Sequence, residues 1–366
     1  MKQVLDSSNL RSSEIKIQSP VPVEKLGNSS PLVQSAEQSA RRSADQSQGL
    51  RYLSEAEYRQ WDELVEASPQ GSLFCHSWWL KVAAPDICVL GYFDHGRLIA
   101  GIPLFFKKRL GVKFCAMPSL TQTWGVVIEP IEGKPVHQIT RQLEILTIFA
   151  RHLAGEHVFL QRFHPAIVNF LPFHWQGFRQ VSRVTYVIEY LCELDRVWAE
   201  MRENQRREIR KAEKRGIIVE RCDSEIVAQN LAKTYGRQGL QSPAKAHLLR
   251  LIHQAAQQND AGECFAARDA SGRVHAAAML VWDQKRAYYL AGGGDPTLRT
   301  SGATALLLWK MMQFSSGRAA VFDFEGSQIL SVERFFRAFG ASQVWYHEIS
   351  KMPRWLRASL VLAGKA

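Results

Sequence analysis

The strongest constraint on the fold lies between Leu194 and Ile349, where hydrophobic spacing alternates between helical and strand periods in a fixed order. The spacing predicts a helix from about Leu194 to Arg215, ended by Gly216, then a short strand, Ile217 to Glu220. Two helices follow, near 224–239 and 243–258, then three strands, Cys264–Arg268, Val274–Trp282 and Arg286–Ala291. Gly272 and Asp283-Gln284 mark the turns between these strands. A glycine-rich loop leads into a helix near 301–315, and a strand (Ala320–Phe324), a helix (Ser331–Phe339) and a last strand (Gln343–Ile349) complete the order.

A fainter copy of this order lies upstream. Helices near 55–67 and 76–84 precede strands near 87–93, 97–106 and 112–117, then a helix at 137–153 and strands at 157–162 and 183–190. The chain of 366 residues, 46% hydrophobic, can fill two cores. The expected organisation is an α/β chain of two tandem units, mixed central sheets flanked by helices, over 50–190 and 191–351.

Residues 1–49 hold eleven serines and no aromatic residue, a composition that cannot offset chain entropy by burial. This segment is expected to be disordered, with order beginning near Arg51. A basic tail, 352–366, carries Arg354, Arg357 and Lys365 and is a candidate for peripheral membrane contact. No run of eighteen apolar residues occurs, the candidate span Ala305–Met312 is far too short to cross a membrane, and the first residues lack the apolar core of a secretory signal, so a cytoplasmic protein is expected. The six cysteines are scattered without metal-ligand spacing, and no metal is implied. A formal charge of +11 favours anionic partners without choosing among nucleic acid, a phosphate-rich donor and a membrane face.

The tract Asn204–Gly216 concentrates that charge. At helical spacing Arg206, Arg210 and Lys214 form one row and Arg207, Lys211 and Arg215 the next, opposite an apolar stripe of Trp198, Met201, Ile209 and Ala212. The basic face is either solvated or a phosphate-binding surface for tRNA or a nucleotide- or lipid-linked precursor.

Downstream, Gly292-Gly-Gly-Asp-Pro-Thr-Leu-Arg-Thr-Ser-Gly-Ala-Thr304 connects a strand to a helix whose first amides form a ready anion site. Arg299, Ser301, Gly302, Ala303 and Thr304 are the candidate residues there; a plain connection capped by Ser301 is the alternative. The strand Val321-Phe-Asp-Phe-Glu-Gly-Ser327 places Asp323 and Glu325 on one side. Either carboxylate can serve as a general base for an amine, Glu325 being nearer the strand end, or both can pair with Arg334 or Arg337. Tyr289 is a candidate proton donor to the leaving group, with Tyr288 and Tyr346 as other phenols.

At these residues the chain resembles the FemAB-like branch of the N-acetyltransferase (GNAT) superfamily, including acyltransferase domains termed BioF2-like. The resemblance spans about residues 50–350. It rests on Gly71-Ser-Leu-Phe74 with Trp78-Trp-Leu80, Arg207–Gly216, Tyr288-Tyr-Leu-Ala-Gly-Gly, Asp323-Phe-Glu-Gly-Ser, and Arg334-Phe-Phe-Arg-Ala-Phe-Gly340. It implies tandem GNAT-like units and transfer of an acyl or aminoacyl group to an amine. In the best-known branch, aminoacyl-tRNA donates an amino acid to a peptidoglycan precursor; other members serve envelope or exopolysaccharide synthesis. In acetyl-CoA-dependent members a Q/R-x-x-G-x-G/A segment cradles the pyrophosphate, and Arg299-x-x-Gly302-x-Thr304 stands here with threonine as its last member. In tRNA-dependent members the last helix reads F-K-x-x-F-G; here Phe336 replaces the lysine, with Arg337 as a possible substitute. Arg206, Arg207, Arg210 and Lys211, with Gln122 and Trp124 from the upstream loop Pro118–Gly125, are the candidate substrate contacts.

The sequence therefore predicts a GNAT-type N-acyltransferase acting on an envelope or polysaccharide precursor with acyl-CoA (acetyl-CoA) as donor. An aminoacyl-tRNA-dependent peptidyltransferase and a degenerate scaffold binding nucleic acid or protein are the competing readings.

Overall fold

The computed structural model describes residues 48–357 apart from 85, 110–111, 157, 238–244, 327–328 and 354. Residues 1–47 and most of the basic tail, including Arg354 and Lys365, lie outside the described residues.

The upstream half begins with β1 (Gly49–Tyr52), two residues earlier than expected at Arg51, then α1 (Tyr58–Ala67) and α2 (Ser77–Ala83). The turn before α1 is closed by a capping box in which Ser54 and Glu57 satisfy each other's backbone amides. Strands β2 (Ile87–Asp94), β3 (Arg97–Arg109), β4 (Val112–Ala116) and the short β5 (Val127–Ile128) follow. Then come α3 (Pro135–Leu153), β6 (Val158–Phe163), α4 (Leu171–Trp175) and β7 (Arg179–Ile188). The downstream half runs α5 (Leu194–Glu200), α6 (Glu203–Lys214), β8 (Ile218–Arg221), α7 (Ser224–Arg237), α8 (Ala246–Gln258), β9 (Gly262–Arg268), β10 (Val274–Trp282) and β11 (Arg286–Gly294). It ends with α9 (Ala303–Ser315), β12 (Val321–Asp323), α10 (Leu330–Arg337) and β13 (Ser342–Lys351).

The single helix expected over 194–215 is broken at Met201 and Arg202. Met201 turns extended (ψ 141°), and the Arg202 amide leaves the helix to donate to Ala338 O at 2.9 Å. Gly340 lies against the same end of α5, where a Cβ would stand 2.8 Å from Glu200 O. The break therefore seats the end of α10 between the two helices.

All strands join one sheet in the order β1-β2-β3-β4-β6-β13-β7-β12-β11-β10-β9-β8, with β5 on β3. The centre of this order exchanges strands between the halves. β7, from the upstream half, pairs antiparallel with β12, and β13, from the downstream half, pairs antiparallel with β6. β7 and β13 pair along their lengths, from Ser342↔Val187 to Ser350↔Arg179.

Helices α1, α2, α7 and α8 cover one face over a shared core that includes Trp61, Phe74, Trp79, Leu249 and Tyr288. The other face carries two separate cores, one under α3 and α4 and one under α9 with α5, α6 and α10. The run Ala276-Ala-Ala278 in β10 is wholly buried, and its small side chains let helices close on both faces. α9 is apolar nearly all round, as its burial requires.

Candidate active site

The exchange of β7 and β13 brings the C-terminal ends of β6 and β12 towards one another across the middle of the sheet. Alternation along β6 puts Phe163 in the α3 core and Arg162 and His164 on the opposite face. In β12, Phe322 and Phe324 enter the α9 core, and Asp323 faces the same side as Arg162. Thr185 of β7, Tyr346 of β13, Arg286 of β11 and Gln122 join this face.

Asp323 is 1% exposed and fully engaged. Its Oδ2 accepts Arg286 Nη1 at 2.7 Å; its Oδ1 accepts Thr185 Oγ1 at 2.5 Å, the Glu325 amide at 2.8 Å and, at 3.5 Å, Gln122 Nε2. A carboxylate so paired is an anchor, and this arrangement gives Asp323 no free oxygen for base duty.

Glu325 differs in every respect. The strand ends at Asp323, and Glu325 adopts φ +57°, a left-handed conformation rare for its type. The residue is half-buried as a whole, but its Oε1 is closed off from solvent and has no hydrogen-bond partner. Burial first, and the Asp323 charge second, push its carboxyl well above the ordinary range, while Arg162 pulls part of the way back. Expected as neighbours on a regular strand, the two carboxyls are set at different tasks by this turn.

His164 accepts the Ala166 amide on Nδ1 at 3.2 Å, which leaves Nε2 as the protonated nitrogen of a neutral ring. Burial, reinforced by Arg286 and Lys285, holds its pKa down to about 3. Lys285 donates to the carbonyl oxygens of Val65, Ser68 and Gly71, and Asp283 Oδ2 accepts the Leu73 amide at 2.7 Å. The β10–β11 turn thus clasps the end of α1.

β11 and β12 pair from Arg286↔Val321 to Tyr288↔Asp323 and then part. Where they part, β11 carries an irregularity: Met279 opposes Ala291 and Leu280 opposes Tyr289, so Leu290 has no partner on β10. The residue left out of this ladder is on β11. Tyr289 packs on Phe336 (centroids 6.0 Å), and Phe336 stacks on Phe324 at 5.0 Å. These three rings belong to the core under α9. The Tyr289 phenol lies over Gly292, where a Cβ would meet its hydroxyl at 2.3 Å, and burial raises its pKa.

The remaining candidates are separated from this cluster or committed elsewhere. Trp124 is 1% exposed and donates Nε1 to Phe74 O at 2.8 Å, so it packs the core while its neighbour Gln122 reaches Asp323. Arg337 pairs with Glu333 at 2.7 Å, and Glu333 also accepts the Tyr186 hydroxyl, so the guanidinium does not replace the missing lysine in the cleft. Arg206 leans on Glu203 and Ala199 O, and Lys211 pairs with Glu208 at 3.1 Å. Arg207 and Arg210 are exposed, the latter over the Trp198 ring. The apolar stripe of Met201, Ile209 and Ala212 is buried as its spacing predicts.

At the start of α9, Ser301, Gly302 and Ala303 are buried. Gly302 has φ +82°, and a Cβ on it would sit 2.2 Å from Glu208 O of α6. Arg215 of the same basic segment donates to Thr300 O. Arg299 stays exposed and Thr304 half-buried. This helix start is occupied by packing against α6, which does not fit an open pyrophosphate cradle.

Arg162, His164, Thr185 and Arg286 escaped the sequence reading. The alternation Gln161-Arg-Phe-His164 at the end of a strand carries the same signal as Asp323-Phe-Glu325, in the half where only the loop Pro118–Gly125 was read as reaching the cleft.

A sheet of two GNAT-type halves, its centre shared by exchange and its cleft lined from both, defines a tandem GNAT fold. Residues 199–335 match the family model described as an acetyltransferase (GNAT) domain, and the GNAT resemblance read from the sequence holds. Among solved structures the chain is similar to FemX at a TM-score of 0.62 and 15% identity, covering 81% of this chain and 96% of that one. It is also similar to the C-terminal domain (DUF2156) of a putative lysylphosphatidylglycerol synthetase from Agrobacterium fabrum: TM-score 0.52, 13% identity, 85% of this chain and 96% of that one. No curated protein matches the sequence. Among the described residues no helix is long and apolar enough to cross a membrane, and no group of three His, Cys, Asp or Glu side chains is placed to hold a metal ion.

Proposed function

We propose that this chain is an N-acyltransferase in which Glu325 removes a proton from an amine acceptor in the cleft between the two halves. The observation that carries the reading is the closed-off, unpartnered Oε1 of Glu325 beside Asp323, itself paired with Arg286. A carboxyl raised by burial is a stronger base towards an amine than an ordinary carboxylate. The amine nitrogen attacks the acyl carbonyl, a C–N bond forms, and the nitrogen's proton passes to Glu325. The bond to the donor's leaving heteroatom then breaks, and the proton returns to that atom. The peptide at Leu290, unpaired on β10, is the candidate donor to the developing oxyanion. Asp323, Arg286 and Thr185 hold the Glu325 backbone and keep the carboxyl in place.

A GNAT domain implies an activated acyl donor such as acyl-CoA. A second donor, aminoacyl-tRNA, is favoured by one observation: α6 covers the start of α9, and its outer side presents Arg207 and Arg210. An extended phosphate backbone can lie along that side without entering the covered loop. The acceptor in either case is proposed to be an amine on a cell-envelope or polysaccharide precursor.

Titration of the purified chain with acetyl-CoA and with charged tRNA, at near-physiological salt, decides between the donors. Saturable acetyl-CoA binding lost on changing Arg299 supports acyl-CoA. Tight tRNA binding weakened by Arg207→Glu supports the ester donor. With the donor in hand, turnover by Glu325→Gln equal to that of the parent protein overturns the base assignment.

A further inference from the structure

We propose that the acceptor amine carries its own anionic group, a carboxylate or a phosphate ester, and that Arg162 of the upstream half binds it. The inference deepens the reading of Glu325 as the amine's base and rests on it. Its carrier is the charge arrangement of the shared face. Arg286 is paired with Asp323 at 2.7 Å, and Arg183 with Glu348 at 2.9 Å. The Lys285 ammonium is held by three carbonyl oxygens, and the His164 ring is neutral.

The Arg162 guanidinium alone among these cationic side chains makes no hydrogen bond or ion pair with the described residues. It is half-buried and near enough to both Glu325 and the Tyr346 phenol to act on their charges. A guanidinium partly withdrawn from water and left without an acceptor is costly unless a ligand supplies one. The neighbouring Glu325 Oε1 is likewise closed off without a partner, and it requires a donor. One unfilled cation beside one unfilled acceptor is the complement of a molecule bearing an amine close to an anion. The planar fork of Arg162 suits a carboxylate or phosphate taken by two parallel hydrogen bonds. Upstream and downstream halves then hold the two ends of one acceptor, which gives the strand exchange a chemical use.

The test is isothermal titration of the full chain with four probes: L-lysine, cadaverine, phosphoethanolamine and ethanolamine. Lysine should bind at least about tenfold more tightly than cadaverine, or phosphoethanolamine than ethanolamine, as a charge-assisted pair implies. The first preference identifies a carboxylate and the second a phosphate. Arg162→Gln should bring the preferred pair within about twofold, with Arg162→Lys between the two. Glu325→Gln should keep the anion preference while losing turnover, which separates this proposal from the base assignment. Equal binding of both pairs, no binding of any probe, or a preference that survives Arg162→Gln in a folded variant would overturn the proposal.

Discussion

Asp323 accepts the backbone N–H of Glu325 at 2.8 Å, so the charged carboxylate fixes the position of the residue whose carboxyl is closed off beside it. Two acidic residues separated by one phenylalanine thereby meet different surroundings: Asp323 is engaged by Arg286, Thr185 and Gln122, whereas burial and a like charge raise the carboxyl of Glu325. Such a divergence is how one cleft separates an anchor from a base.

Activity should rise with pH through the elevated Glu325 pKa, because only the carboxylate accepts the amine's proton. The group's pKa is raised, so the rising limb of kcat lies above the ordinary carboxyl range. Glu325→Gln should remove that limb and lower kcat by roughly 10²–10⁴-fold. Stopped-time assays across pH 5 to 9, set by the buffer, measure both.

Stability should run the other way. A carboxyl whose folded pKa exceeds its unfolded value binds more protons in the folded state, so stability is greatest below the unfolded pKa and falls as pH climbs through the folded one. Glu325→Gln lacks this loss and should melt higher than the parent protein at pH 8, with the gap closing towards pH 4. Paired thermal melts at the two pH values check the sign.

Arg286→Met should destabilise the chain by about 3–5 kcal/mol, since it leaves the buried Asp323 charge without its counter-ion. Arg286→Met combined with Asp323→Asn should recover part of that loss. Urea unfolding of the parent protein, the single variant and the double variant measures the recovery; none at all would mean that Thr185 and Gln122 suffice to hold the charge.

Gly302→Ala should lower Tm irrespective of any donor, because the added Cβ meets Glu208 O and the residue is held at φ +82°. The left-handed conformation alone costs about 1–2 kcal/mol for a residue with a Cβ, before α6 is displaced. If Tm is unchanged and only the KM for acyl-CoA rises, the glycine serves the donor and not the packing.

The parts of this fold that periodicity could reveal are those whose partners are near in sequence. Strands β9, β10 and β11 follow one another through tight turns marked by Gly272 and Asp283, and α9 is a continuous apolar helix, so each is readable within its own window. Helix α4 is five residues long with Pro172 in its first turn, and β5 has two residues; neither gives a window enough turns to register. The break at Met201 answers to Gly340, well over a hundred positions away, and helical spacing continues across it undisturbed. The same distance hides half of the site. Glu325 and Asp323 announce themselves as adjacent carboxylates in an apolar strand, whereas Arg162 and His164 become their neighbours only through β13 and β7, whose alternation would read the same against any partner.

The placement of β13 also has a consequence for biosynthesis. This strand is synthesised after both β6 and β7, yet it fills the position between them, and they emerge well over a hundred residues earlier. Until then both strands present unpaired edges, and the upstream half cannot finish folding as an independent body in the way domains usually do during synthesis. A nascent chain stopped before Ser342 would expose those edges to other chains, so termination ahead of β13 should yield aggregates rather than a shortened working protein.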